Sequence, residues 1–204
     1  MQFEGIYIPV ITPFHDDGSV DESGFAEVLE FLIDAGVHGI VVAGTTGEYY
    51  AQTMAERTGL MQTAHQVING RVPLMIGVGA IRTEDAIELA QTAKQVGADA
   101  LLVNSPPYVL PTESENAAHA LAIDKAADLP IMLYNYPGRT GSNMGEDYLR
   151  QVSTSKNFCA IKESSGDINR LHLLANDYPN IQLSCGADDQ ALEFFVWGAR
   201  SWVC

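Results

Sequence analysis

Short, uninterrupted apolar runs alternate along this chain with segments whose apolar residues recur at helical spacing. The runs are IYIPVI from Ile6, GIVVAG from Gly39, PLMIGVG from Pro73, ALLVNS from Ala100, PIMLYN from Pro130, FCAIKE from Phe158, IQLSCG from Ile181 and SWVC from Ser201. They return about every 20 to 34 residues, the repeat length of successive βα units. Near-continuous apolar character, instead of strict alternation, predicts parallel strands covered on both faces.

The intervening segments carry helix signals. Phe25, Val28, Leu29, Leu32 and Ile33 share one helical face, and the pattern stops at Gly36. Thr53-x-x-Glu56 and Thr112-x-x-Glu115 read as capping boxes, and Asp167 is placed to cap a helix bearing Leu171 and Leu174. No linker, low-complexity tract or charge block interrupts the series. The pattern therefore predicts one α/β domain over 1–204, a (β/α)8 TIM barrel with its site at the carboxyl ends of the strands. An open doubly wound sheet is the alternative. Seven helical segments lie between eight strand-like runs, and the chain stops inside the eighth. The expectation is a barrel cut short at its carboxyl end, its last strand uncovered.

Composition narrows the function classes. The formal net charge of −15, with 11 Lys and Arg spread along the chain, argues against a nucleic-acid backbone or an anionic membrane as partner. The three cysteines, Cys159, Cys185 and Cys204, lie in apolar runs without metal-binding spacing, so they read as small buried hydrophobes in a reducing compartment. The first residues, MQFEGIYIPV, enter a strand without a signal-peptide pattern, and no apolar run reaches membrane-spanning length. A soluble cytoplasmic protein is expected.

Candidate chemistry follows the strands. Thr45, Thr46 and Glu48 stand in GTTGEYY, Ser105 and Tyr108 in NSPPY, Tyr134 and Arg139 in YNYPGRTG, Lys162 in AIKESSGD, and Gly186, Asp188 and Asp189 in CGADD. Ala160 and Lys162 share one strand face, so in a barrel the small Ala160 leaves Lys162 room inside the bore. Desolvation there would lower the lysine pKa and give the free amine that attacks a carbonyl to form an imine. A nearby phenol, Tyr134, can carry the protons of that reaction. The plainer alternative is a strand-end lysine turned to solvent. GTTGE can be an ordinary tight turn or, through Thr45 and Thr46, a small carboxylate cradle. GVGAIR imitates a dinucleotide fingerprint but lacks its third glycine. Tyr108 can be a plain loop aromatic and Arg139 a surface ion-pair partner, while the five histidines read as solvated or packed.

Taken together, GTTGE, YNYPGRTG and IKESSGD resemble the dihydrodipicolinate synthase and N-acetylneuraminate lyase family of Schiff-base aldolases, in order along essentially the whole chain. The resemblance implies a barrel followed by a small helical carboxyl-terminal domain, which a chain ending in the eighth strand would lack. It also implies a homotetramer built as a dimer of tight dimers. Lys162 would form an imine with pyruvate or another 2-keto acid, with no separate cofactor. Tyr134 would donate and accept protons, Thr45 would link it to Tyr108, and Thr46 would hold the keto-acid carboxylate. Gly186 and Val203 would line the pyruvate end. Arg139 points to the synthase branch, in which pyruvate condenses with aspartate semialdehyde. PPYVLP, Tyr136, Tyr49 and Tyr50 depart from the family pattern around the second substrate and the feedback region. A catabolic 2-keto-acid aldolase or dehydratase acting on a sugar acid is the alternative, and an inactive barrel serving as a binding subunit is a more distant one.

Overall fold

A computed structural model describes residues 1–204. Eight parallel strands close into a barrel in chain order: β1 Gly5–Pro9, β2 Gly39–Val42, β3 Leu74–Gly77, β4 Ala100–Asn104, β5 Ile131–Asn135, β6 Phe158–Glu163, β7 Gln182–Cys185 and β8 Ser201–Val203. All the apolar runs became strands, and the open-sheet alternative is excluded by the pairing of β1 with β8, Gly5 opposite Ser201 and Tyr7 opposite Val203.

The helices α1 Glu22–Asp34, α2 Met54–Ile68, α3 Thr83–Val96, α4 Glu113–Ala127, α5 Pro137–Thr140, α6 Glu146–Val152, α7 Ile168–Asp177 and α8 Ala191–Val196 fill the connections. Both capping boxes form, with Thr53 and Thr112 accepting from the N–H groups of Glu56 and Glu115 and each glutamate reaching back to its cap. The Asp167 carboxylate accepts from the Asn169 N–H at the start of α7. Between β5 and β6 the structure has two helices where one was expected. Pro137 pre-sets the first turn of α5, and Gly141, at φ +73°, stops it after four residues.

Strand alternation divides the interior in two. Tyr7, Val41, Met75, Met132, Ala160 and Val203 pack inside the bore. Their outward neighbours, such as Ile40, Ile76, Leu101, Leu133 and Ile161, meet the apolar faces of the helices in a larger core. Burying those two layers is the main source of stability. Among the histidines, His119 is buried against α3, its Nδ1 2.9 Å from the Thr83 hydroxyl, and burial pulls its pKa down to about 4. The cysteines are a partial correction: Cys185 is buried, but Cys159 is half-buried and Cys204 exposed. Cys159 is the residue skipped where the β5–β6 register shifts, between Phe158 and Ala160, and Cys204 lies beyond the β8 ladder. No helix is long and apolar enough to cross a membrane.

Candidate active site

Lys162 and Tyr134 stand opposite each other in the β5–β6 register, near the carboxyl ends of their strands. Both side chains enter the bore above Met132 and Ala160, which pair one layer below. The Lys162 ammonium lies 4.5 Å from the centre of the Tyr134 ring. Only 8% of Lys162 is exposed, which disposes of the solvent-facing reading. Burial pulls its pKa down to about 8, opposed in part by the Asp188 carboxylate, Cys204 and Cys185. Burial pushes the Tyr134 phenol up to about 12, while the Thr45 hydroxyl, the Arg139 guanidinium and the Ser164 hydroxyl favour its ionised form.

Gly186 is required by space. A Cβ there would overlap the Ser164 hydroxyl and come within 2.8 Å of the Lys162 stem, so any larger residue would displace the lysine. Val203 is buried in the bore, in the apolar layer with Tyr7 and Ala160. The remaining expectations separate. Thr45 and Arg139 line a cavity of about 230 Å³ together with Tyr49, Tyr50, Asn104, Pro107, Tyr134, Tyr136 and Thr140. Thr46 is exposed at the rim. Tyr108 is 87% exposed in the loop before α4, at φ +75°, with Val109 and Leu110 exposed beside it. Within this chain, Tyr108 does not reach Tyr134. Ser105 is tied away from the site, its hydroxyl accepting from Asn116 at 2.7 Å.

A second cavity, of about 520 Å³, opens on the other side of Tyr136, lined by Ser164, Ser165, Gly166, Gly186, Ala187, Asp188 and Asp189. Asp188 is steadied there by the Trp202 indole N–H at 2.9 Å. The largest grooves elsewhere lie at the opposite end of the strands, around Asn180 to Leu183 and around His38, away from the lysine.

One residue beyond the Tyr134–Lys162 pair, the partners Asn135 and Glu163 point outward and build a buried latch that the sequence reading did not anticipate. Asn135 donates to Glu163 at 2.8 Å and to Asn143 at 3.0 Å, and accepts from the Met144 N–H. The Glu163 carboxylate also takes the Ser165 N–H at 2.7 Å and pairs with Arg170 from α7 at 3.3 Å. Arg170 in turn donates to the Met144 carbonyl. Ser164, Asn104, Tyr49 and Tyr136 were likewise missed as site residues. In the sequence Tyr49 and Tyr136 stand out only as departures from the family pattern, and the only signal for Ser164 and Asn104 is their place at or just after a strand end.

The matches to known proteins fit this geometry. The sequence matches the Dihydrodipicolinate synthetase family over residues 2–204. A relative from Protochlamydia amoebophila, named 4-hydroxy-tetrahydrodipicolinate synthase, is 37% identical over 98% of this chain and 68% of its own length. The solved chloride-inhibited dihydrodipicolinate synthase from Acinetobacter baumannii, complexed with pyruvate, superposes with a TM-score of 0.94 at 35% identity, covering 100% of this chain and 70% of that one. CdNal from Clostridium difficile, in complex with mannosamine, shares the fold at a TM-score of 0.95 and 24% identity, over 100% of this chain and 70% of its own. The chain thus spans about two thirds of the length of these relatives. With a buried lysine and a phenol in register at the mouth of the barrel, and a sequence match over nearly every residue, the chain belongs to the dihydrodipicolinate synthetase family.

Proposed function

We propose that this protein condenses pyruvate with aspartate semialdehyde, in the manner of a 4-hydroxy-tetrahydrodipicolinate synthase. The observation that carries the reading is the desolvated amine of Lys162 beside the Tyr134 phenol. With a pKa of about 8, roughly a tenth of Lys162 is free amine at neutral pH, about two to three orders of magnitude more than for an ordinary lysine. That amine adds to the keto carbon of pyruvate, and loss of water leaves the imine. Loss of a methyl proton to the Tyr134 phenolate left by the dehydration then gives an enamine, whose carbon attacks the aldehyde. Addition of the semialdehyde's own amine to the regenerated imine carbon closes the ring and expels the Lys162 amine. Tyr134 stays protonated at neutral pH and serves as the donor that returns protons to the leaving water and to the new alkoxide. Thr45, beside the phenol, passes protons onward, and Thr46 with Gly186 and Val203 frames the pyruvate end. Tyr108 completes the relay from a neighbouring subunit, a role supported by the exposure of its ring within its own chain. The functional assembly is a homotetramer.

Arg139 is assigned to the carboxylate of aspartate semialdehyde. A planar guanidinium suits bidentate contact with that group, and Arg139 lines the cavity above Tyr134. Arg139→Ala should raise the KM for aspartate semialdehyde by about one to two orders of magnitude, the value of a charge-assisted bond, with pyruvate imine formation little changed. Borohydride trapping with pyruvate should label Lys162. An unlabelled Lys162 would remove the imine mechanism and leave the binding-subunit alternative. The hydroxyl- and carboxylate-lined cavity beside Gly186 favours a second reading, an aldolase for a sugar-derived 2-keto acid. Turnover of such a compound, with aspartate semialdehyde ignored, would establish that instead.

A further inference from the structure

The mouth of the barrel is not one pocket. Tyr136 lines both cavities at once, the smaller one with Thr45 and Arg139 and the larger one with Ser164, Gly186 and Asp188. We infer that Tyr136 is a specificity-determining wall: it separates the two cavities and holds the Arg139 guanidinium on the smaller side, so that the acceptor is a short, carboxylate-bearing aldehyde. This rests on the imine chemistry proposed above and deepens it.

Three observations support the inference. First, Tyr136 and Arg139 belong to one tight turn. The Tyr136 carbonyl accepts from the N–H groups of Arg139 at 2.9 Å and Thr140 at 3.0 Å, and from the Thr140 hydroxyl at 3.2 Å. Tyr136 precedes α5 as its cap, and Arg139 is the third residue of that helix. Second, the ring is placed from both sides. Its centroid is 6.0 Å from that of Tyr134, and the Arg139 guanidinium carbon lies 5.8 Å from it, within the range of a cation–π contact. Arg139 is exposed and makes no ion pair, so the ring is the partner its charge does contact. Third, the space beside the ring is reserved. At Gly138 a Cβ would sit 3.2 Å from the Tyr136 ring edge, so a side chain there would crowd the wall.

Removing the ring has two separable consequences. Arg139 loses its support, and the cavities of about 230 and 520 Å³ merge into one that admits a longer, hydroxylated acceptor. Tyr136→Val, Tyr136→Leu and Tyr136→Phe would be compared with the parent chain in three measurements: borohydride trapping of pyruvate, steady-state kinetics with aspartate semialdehyde, and turnover of a four- to six-carbon hydroxyaldehyde series. Trapping should persist in all of them. In Tyr136→Val the KM for aspartate semialdehyde should rise about two- to fivefold, the worth of an exposed cation–π contact, with kcat nearly kept. The same variant should gain at least tenfold on the longer hydroxyaldehydes relative to aspartate semialdehyde. Tyr136→Phe, which keeps the ring, should behave as the parent does. Tyr136→Leu carries the same expectation as valine if the smaller residue does not fold. Trapping with an unchanged preference in the valine or leucine variant would overturn the wall, and so would a phenylalanine variant that shifts as they do. Failure of the parent chain to trap pyruvate would instead overturn the imine chemistry, and the wall with it.

Discussion

Lys162 and Arg170 are both buried cations, and they are accommodated in opposite ways. Arg170 is neutralised by Glu163, whereas Lys162 faces a phenol ring and is opposed only in part by Asp188. The amine therefore costs stability while it is charged. Its pKa falls from 10.5 in the free side chain to about 8 in the fold. Its destabilising contribution is thus full, and flat, below about pH 8, and fades as pH rises from about 8 towards 10.5, where the unfolded lysine also loses its proton. Lys162→Met should abolish pyruvate trapping yet raise stability at pH 7 by up to about 3 kcal/mol, read as a higher melting midpoint. The gain should fade above about pH 10, and a gain independent of pH would assign it to packing alone. Lys162 and Tyr134 were legible in the sequence because strand-end position and the small Ala160 have simple geometric meanings. Tyr136 as a wall was not, because its effect depends on two cavities that only the folded turn creates. Thr46 was placed by the resemblance, and its exposure in this chain had no local signal.

At the scale of elements, the latch of Asn135, Glu163 and Arg170 holds the β5 and β6 ends and the start of α7 together, one residue beyond the Tyr134–Lys162 pair. Glu163→Ala would leave Arg170 buried without its partner, at a cost of about 3–5 kcal/mol. The expected outcome is a drop in the denaturation midpoint together with weaker pyruvate trapping, since the strand ends carrying both reacting side chains lose their common tie. A stability loss with trapping rates intact would separate the latch from the site. Strands, helices and caps were legible because period and capping chemistry are local. The latch was not, because KESSGDINR reads as an ordinary polar loop and helix start, its glutamate meets an asparagine 28 residues earlier, and its arginine reaches the Met144 carbonyl. The short helix α5 was missed for a related reason, since four residues are too few to show periodicity.

For the whole molecule, the closed barrel could be read from the count and order of the runs, because each run of a parallel barrel announces one strand. Tyr108, Val109 and Leu110 form an exposed apolar tip, and the backbone holds Tyr108 and Leu110 at positive φ, a conformation that costs energy for such side chains. If Tyr108 serves a neighbour's site as proposed, chains of Lys162→Ala and of Tyr108→Phe should complement. Mixed assemblies should recover a measurable share of the parent turnover, while each variant alone stays low. No recovery after verified mixing would confine Tyr108 to a role in its own loop.

The ladder between β1 and β8 also bears on how the protein is made. β8 follows every other strand in the chain, so a ribosome completes seven strands before the partner of β1 exists. At about 5–20 residues per second, the free edge of β1 waits roughly tens of seconds for it. During that interval the nascent sheet has two open edges, each a template for pairing with another chain. Vectorial synthesis thus leaves the barrel most prone to mispairing just before its last strand emerges.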